Sequence, residues 1–163
     1  MQTLDAIRTK RAVRKYTDQP VPENIIREIL NAGRRAQSSK NTQPWDFVVV
    51  RDRAMLEQLA ACGNFAAHLS GAAFAIAIIQ SLERSFDIGQ TAAYMQLAAW
   101  DLGVSSCIAS IYEPDRAKQL LGVPAQKFLV TTLAFGYASE PPREKPKSGA
   151  RRAFDDVVHW EKW

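Results

Sequence analysis

The chain has 163 residues, of which 47% are hydrophobic and 23% are charged. These proportions are typical of a folded globular protein and exclude a disordered chain, and the length suits one domain with a sizeable core. The formal charge of +4 and the isoelectric point near 9.2 are compatible with nucleic acid and equally with a phosphate-bearing ligand.

Hydrophobic spacing, capping residues and prolines divide the chain into alternating helices and strands. In chain order, we predict a short helix at Leu4 and Ile7, a helix from Pro22 to about Gly33, a strand at residues 47–50, a helix from Asp52 to about Ala61, a strand at residues 74–79, a helix from Ser85 or Asp87 to Gly103, a short strand within residues 104–111, a helix from Glu113 to Gly122, and a strand at residues 128–135.

This alternation predicts an α+β fold, or one of α/β type, with a small mixed sheet of four to five strands flanked by helices. Residues 74–79 are apolar throughout, which indicates a strand buried on both faces. The helix that ends at Gly103 is apolar on more than one stripe. We therefore expect part of its surface to be covered by a partner subunit.

The end of the chain differs in composition from the rest. A proline-rich and charged stretch at residues 140–149 suits no core element, and apolar residues return at Phe154, Val157, Val158 and Trp160. We expect residues 1–163 to form a single domain, with residues 137–163 as an extended tail that docks on another subunit.

The sequence lacks the residue patterns of metal sites, redox cysteine pairs, signal peptides and membrane-spanning segments. Cys62 and Cys107 lack the spacing of metal ligands or of a redox pair, and both are expected to be buried free thiols. His68 and His159 belong to no metal-spaced cluster and are interpreted as incidental. The N-terminus has no apolar signal core, and the longest apolar run is too short for a bilayer. We expect a cytoplasmic protein.

Two segments carry polar groups in patterns that allow a ligand. The loop at residues 37–45 contains no glycine, is rich in hydrogen-bonding side chains and ends in Pro44 and Trp45. It suits ligand binding and also an ordinary connection from helix to strand. A basic segment holds Arg8, Arg11 and Arg14, which form either a solvated face or a phosphate site.

The pair Arg151 and Arg152 is by itself no more than a basic surface. The chain has no glycine-rich phosphate loop, no G-x-S-x-G and no C-x-x-C. If the protein is an enzyme, it uses neither a side-chain nucleophile nor a metal, and an organic cofactor is favoured.

Together the motifs resemble the nitroreductase family of flavoproteins. Residues 10–16, KRAVRKY, resemble the opening R-R-S-x-R-x-[FY] signature, and residues 38–45, SSKNTQPW, resemble A-P-S-x-x-N-x-Q-P-W. Residues 120–124, LLGVP, are similar to L-L-G-[IV]-P, and residues 151–158, RRAFDDVV, to R-K-P-L-E-E-V-V. The motifs span nearly the whole chain in the family's order.

The resemblance implies FMN at the interface of an intertwined homodimer. It places the basic groups toward the FMN phosphate, Arg14 near the pyrimidine end of the ring, and the loop serine and asparagine residues on the cofactor of the neighbouring subunit. Ala109 and Ser110 match the segment that faces the reactive flavin nitrogen. The implied FMN-binding residues are Lys10, Arg11, Ala12, Arg14, Ser38, Ser39, Asn41, Asp87, Ala109, Ser110 and Arg151.

The implied activity is ping-pong transfer of a hydride from NADH or NADPH, through FMN, to a nitroaromatic compound or a quinone. Ala12, Gln37 and Ala153 depart from the family pattern, in which Ser, Pro and Pro are usual. A flavin-binding storage or sensor module, or non-redox chemistry on flavin, is an alternative. A basic nucleic-acid-binding domain is a more remote one.

Overall fold

The computed structural model describes residues 2–81, 85–142 and 151–163. Within them, the helices and strands follow the predicted order, and their ends differ from the predicted ones by only a few residues. The elements are α1 (Thr3–Thr9), α2 (Glu23–Arg34), β1 (Trp45–Val50), α3 (Arg53–Ala60), β2 (Phe74–Gln80), α4 (Ser85–Asp101), β3 (Ser105–Ala109), α5 (Pro114–Leu120) and β4 (Phe128–Gly136), with single 3-10 turns at Ser39–Asn41, Ala67–Leu69 and Phe154–Asp156.

The four strands form one sheet in the order β1-β2-β4-β3, and every pairing between them is antiparallel. The α+β class is confirmed, but the sheet is antiparallel rather than mixed. The crossover through α4 makes β2 and β3 run parallel to each other, yet β4 lies between them and pairs with both. In the described part of the chain, parallel pairing is limited to an isolated bridge between Ala12 and Ser106.

Helices cover both faces of this sheet. Phe74, Ile76 and Ile78 of β2 join a core cluster with residues of α2 and α4, whereas Ala75 joins a second cluster with residues of α3 and α5. Every residue of β2 is buried, as the sequence predicts. Because helices cover both faces of the sheet, neither face of β2 contacts solvent, and apolar residues suit both faces.

The segment that follows α1 runs along the free edge of β3. The Val13 amide donates to the Ser106 carbonyl at 3.1 Å, and the Thr17 amide donates to the Tyr137 carbonyl at 2.8 Å just beyond β4. An edge strand offers a row of unpaired backbone groups. This segment satisfies part of that row and thereby fixes the backbone on both sides of Arg14.

Tyr16 holds the same segment in place. Its ring lies over Gly136, where an added Cβ would come within 2.9 Å of the ring, so the close approach requires glycine. Its hydroxyl donates to the Val13 carbonyl at 2.6 Å. Burial raises the pKa of Tyr16 far above its usual value, so the hydroxyl keeps its proton and remains a donor.

The C-terminal segment, residues 151–163, contains one 3-10 turn and exposes its apolar side chains. Phe154 is 63% exposed and Trp160 is 73% exposed. The predicted anchors therefore do not pack into the core of their own subunit. Most of the proline-rich stretch, residues 143–150, lies outside the described residues, and docking of the tail stays a prediction. No helix in the described ranges is long and apolar enough to cross a membrane.

We expect Tyr16→Phe to lower the free energy of unfolding by about 1 kcal/mol, because the Val13 carbonyl loses its donor. Tyr112→Phe is the matched control, since Tyr112 is 57% exposed and its hydroxyl can bond water in either state. Urea denaturation of both variants measures the difference. Equal stabilities would show that the Tyr16 hydroxyl does not hold the segment.

Candidate functional site

An open cleft of about 780 Å³ lies at the end of β3. Two residues that the sequence selects, Arg14 and Ser110, both line it, although they are far apart in the chain. Its volume is in the range of sites that bind small organic molecules. The lining residues are Arg14, Asn64, Phe65, Ala67, His68, Ile108 and Ser110.

The basic residues Lys10 and Arg11 follow α1 and precede Arg14, which lines the cleft. Lys10 is half-buried, and burial lowers its pKa while the neighbouring Cys107 acts in the opposite sense. The Arg11 guanidinium donates to the carbonyls of Arg8 and Lys10 at 2.8 and 3.0 Å. The predicted basic segment is therefore folded against its own backbone and against β3, and is not a fully solvated face.

Cys107 lies beneath the basic segment, on β3. Burial raises the pKa of its thiol, whereas Arg14 and Lys10 act to lower it. Burial is the larger effect, so the thiol stays protonated at neutral pH. Cys62 is also buried and free, as the sequence predicts for both cysteines.

Close backbone packing positions Ser110. The amides of Tyr112 and Glu113 both donate to the Cys62 carbonyl, at 2.9 and 3.0 Å. At Gly63, an added Cβ would lie 2.2 Å from the Ser110 carbonyl oxygen. The turn after α3 and the turn after β3 thus contact each other through their backbones, and this contact places Asn64 and Ser110 on the same cleft.

The loop before β1 forms a second group of predicted residues. The Ser39 amide donates to Asp87 Oδ2 at 3.3 Å, and the Gln43 amide donates to Ser38 Oγ at 2.9 Å. Asn41 is exposed on the same turn. Asp87, near the start of α4, is 9% exposed. The structure thus brings Ser38, Ser39, Asn41 and Asp87 together.

The backbone of this loop is strained. Lys40, Asn41 and Gln43 have φ values of 53°, 54° and 47°, in the left-handed region that favours glycine. Such conformations persist only where the surroundings impose them, and they concentrate at functional sites. Burial of Pro44 and Trp45 fixes one end of the loop, and Asp87 holds the other.

The two groups lie apart within one chain. Gln96 of α4 donates to Ser106 Oγ at 3.3 Å, and Ser106 also pairs with Ala12, so this part of α4 adjoins the first group. The second group adjoins Asp87, nine residues earlier on α4. At about 1.5 Å per residue the separation along the helix is roughly 14 Å. Among the described residues, no hydrogen bond or ion pair joins the two groups.

Ala109 and Arg151 complete the predicted set. Ala109 is fully buried at the end of β3, so only the backbone near it can face the cleft. Arg151 is exposed at the start of the C-terminal segment, and no hydrogen bond joins it to either group among the described residues. Its assignment to a phosphate stays a prediction.

Sequence reasoning missed the cleft wall formed by the turn after α3. Asn64, Phe65 and His68 are there, and His68 was interpreted as incidental. No local pattern marks these residues, because only the packing of this turn against β3 brings them to Arg14 and Ser110.

We expect Gly63→Ala to lower the free energy of unfolding by about 1–3 kcal/mol, because the new methyl group displaces a backbone oxygen that cannot move alone. Gly71→Ala is the matched control, since an added Cβ there meets no atom within 4 Å. Thermal or urea denaturation of the pair measures the difference. A Gly63→Ala protein as stable as the control would contradict the packing described above.

Comparison with known proteins gives one consistent result. The family model described as the nitroreductase family matches residues 7–77 and 65–137. A candidate NADH dehydrogenase/NAD(P)H nitroreductase from Methanothermobacter thermautotrophicus is 34% identical over 175 residues, which cover 100% of this chain and 88% of the relative. An NADH dehydrogenase from Thermus thermophilus is 28% identical over 192 residues, covering 93% of this chain and 92% of the relative.

Solved structures agree with the sequence relatives. An FMN-dependent nitroreductase from Clostridium difficile superposes with a TM-score of 0.88 at 27% identity, over 98% of this chain and 99% of that one. The NADPH:FMN oxidoreductase from Vibrio harveyi superposes with a TM-score of 0.87 at 23% identity, over 99% of this chain and 77% of that one, and therefore shares the fold. On this evidence the chain belongs to the nitroreductase family.

Proposed function

We propose that this protein is an FMN-dependent oxidoreductase that transfers a hydride from NADH or NADPH to an electron acceptor, a nitroaromatic compound or a quinone. One observation carries the proposal: in a chain of the nitroreductase family, Arg14 and Ser110 line one cleft of about 780 Å³, and the basic residues Arg11 and Lys10 precede Arg14 by three and four positions. A cationic end and an adjoining open cleft suit a ligand with a phosphate and a flat ring.

The residues present fit FMN at both ends. Lys10 and Arg11 supply cationic donors for a phosphate, and Arg is well suited to phosphate because its planar fork donates two hydrogen bonds. Arg14 supplies a positive charge where the cofactor gains negative charge on reduction. Ser110 and its backbone border the same cleft from β3.

FMN, when bound, supplies the hydride-accepting and hydride-donating chemistry. The protein's own residues bind and orient it, so no side-chain nucleophile is required. The openness of the cleft to one side supports alternate occupation by the nicotinamide donor and the acceptor, which is the basis of the proposed ping-pong order. We assign no residue of the chain as a catalytic acid, base or nucleophile.

The cleft mouth favours a planar acceptor. Phe65 and Tyr112 stand edge to face with ring centroids 6.3 Å apart and an interplanar angle of 62°. Both are well exposed, Phe65 at 74% and Tyr112 at 57%. The exposed Phe65 ring lines the cleft, and an exposed aromatic ring there can stack on an aromatic ring of the acceptor.

We further propose that the complete site needs two copies of the chain. The second group of residues, at Ser38, Ser39 and Asn41, is about 14 Å along α4 from the first group in one subunit. A two-fold partner brings the second group of one subunit to the first group of the other. Exposed apolar residues support such an interface: Leu4 at 61% and Ile7 at 57% on α1, and Tyr94 at 42% on α4. The tail, residues 137–163, is proposed to dock on that partner.

The remote alternative, a nucleic-acid-binding face, receives little support from the contacts of the basic segment. Arg11 donates to backbone carbonyls of its own segment, and Arg14 lines the cleft, so the arginines do not form one outward stripe. A storage or sensor role uses the same residues as the proposed enzyme, and turnover distinguishes the two.

The absorption spectrum of the purified protein tests the proposal. We expect flavin bands, present at once or after addition of FMN, and bleaching of those bands by NADH or NADPH. Steady oxidation of the nicotinamide with a quinone present excludes the storage role. Protein that shows no flavin absorption and acquires none with added FMN would refute the proposed function.

We expect Arg14→Gln to weaken FMN binding about 10- to 100-fold, which corresponds to the loss of one hydrogen bond to a charged group. Arg51→Gln is the matched control, because Arg51 is exposed after β1 and away from the cleft. Quenching of FMN fluorescence during titration measures both affinities. Equal affinities in the two variants would remove Arg14 from the site.

Mixed dimers test whether the site is shared. We expect the protein to elute at twice its 18.2 kDa mass, and Arg14→Gln and Asn41→Ala each to impair both sites of their own homodimer. When the two variants are co-expressed, the mixed dimer carries one site with both changes and one unchanged site. Recovery of half the tight FMN sites in purified mixed dimers supports a shared site.

If both groups served the cofactor of their own subunit, each site of the mixed dimer would carry one change, and no tight site would return. Differently tagged chains allow the mixed dimer to be purified away from both homodimers. A monomeric wild-type protein at micromolar concentration would overturn the shared site directly.

A further inference from the structure

His68 lies on the wall of the cleft, in the 3-10 turn Ala67–Leu69, where Arg14 is a fellow lining residue. The fully buried Leu69 anchors this turn in the core. The Nε2 atom of His68 is buried and has no hydrogen-bond partner among the described residues. A buried polar nitrogen without a partner is uncommon and calls for an explanation.

Opposing influences act on the imidazole. Burial lowers the pKa of His68, and the positive charge of Arg14 lowers it further. The backbone at Phe65 and at Ile108 acts in the opposite direction. Only carbonyl oxygens of the backbone favour a protonated ring, because a protonated ring has donors on both nitrogens and no acceptor. The ring is thus held neutral, next to carbonyl oxygens that would accept hydrogen bonds from it once it is protonated.

Arg14 is the charged side chain that acts on this ring within the described part of the chain. The turn before His68 and the strand β3 contribute backbone groups, at Phe65 and Ile108, rather than charges. Arg14 and Lys10 both act on the neutral thiol of Cys107. Besides burial, the protonation state of His68 therefore responds to whatever balances the charge of Arg14.

We propose that His68 takes up a proton when negative charge arrives beside Arg14, and so serves as a charge-compensating residue for the reduced cofactor. This inference rests on the proposed function. Burial and the charge of Arg14 together keep the ring neutral. Negative charge next to Arg14 offsets the second of these effects, and the carbonyls of Phe65 and Ile108 then stabilise the imidazolium. His68 acts by carrying a compensating positive charge, and it is not a catalytic residue.

The protons and electrons balance without a further reactant. NADH or NADPH gives up a hydride, which is two electrons and one proton, and leaves as the oxidised nicotinamide. His68 binds one additional proton from solvent at this stage. When the acceptor takes up the two electrons and the hydride's proton, His68 releases its proton, and the acceptor's second proton comes from solvent or from His68. The net reaction still consumes one proton for each nicotinamide.

Nuclear magnetic resonance titration of His68 tests this proposal. The imidazole resonances are followed against pH in the protein alone, with oxidised FMN, and with FMN reduced anaerobically by dithionite. His68→Gln assigns the signals.

We expect the titration midpoint of His68 to rise by roughly one unit, a tenfold gain in proton affinity, when the bound FMN is reduced. In the protein alone, Arg14→Gln should raise the His68 midpoint, whereas Arg51→Gln should leave it unchanged.

Proton uptake supplies a second readout. Reduction of bound FMN in weak buffer with a pH indicator should consume fewer protons in His68→Gln than in the wild-type protein near neutral pH. If FMN binds and is reduced but the His68 midpoint and the proton uptake do not change, the inference is wrong and the proposed function stands. If FMN does not bind at all, both are wrong.

Discussion

The pairing of residues 12–17 with the edge of β3 and with the chain just beyond β4 is the contact on which the candidate site depends. It covers part of an exposed strand edge, which otherwise invites pairing with other chains. It also brings Arg14 to the same cleft as Ser110 and His68, which come from distant parts of the sequence. Tyr16, packed over Gly136 and bonded to Val13, makes this pairing a feature of the core and not of a loose terminal arm.

Helix α4 is the second constraint. It is buried against β2 and α2 on one side, and it separates the loop at Ser39 from the basic segment along its length. A helix of this kind acts as a rigid spacer, because its rise per residue is fixed. Two sets of polar residues at different positions along it could meet a common ligand only across two copies of the chain, and this is why we propose a site between two copies.

Much of the fold follows from the sequence, because its signals are local. The alternation of apolar stretches, Asp52 as a cap, and the proline at the start of α5 predict elements to within a few residues. The order of the strands does not follow, because the insertion of β4 between β2 and β3 depends on pairings across the whole chain. The mixed sheet was the wrong expectation for that reason.

The residues of the candidate site likewise include some that the sequence predicts and some that it does not. Arg14, Ser38, Ser39 and Asn41 are recognisable because they stand in short motifs. Asn64, His68 and Gly63 carry no motif, and their place at the cleft arises from the contact of two turns. Residues that matter through packing alone leave no mark in a single sequence, and a single histidine without metal spacing is easily dismissed.

The left-handed residues at Lys40, Asn41 and Gln43 have a consequence for protein engineering. Each such conformation costs on the order of 1 kcal/mol or more in an L-amino acid, with Asn the most tolerant. The loop keeps its shape because Asp87, Pro44 and Trp45 hold its ends from the core. The geometry of the loop is therefore a property of the scaffold. Transplanting residues 37–45 into another protein would transfer their sequence without their shape.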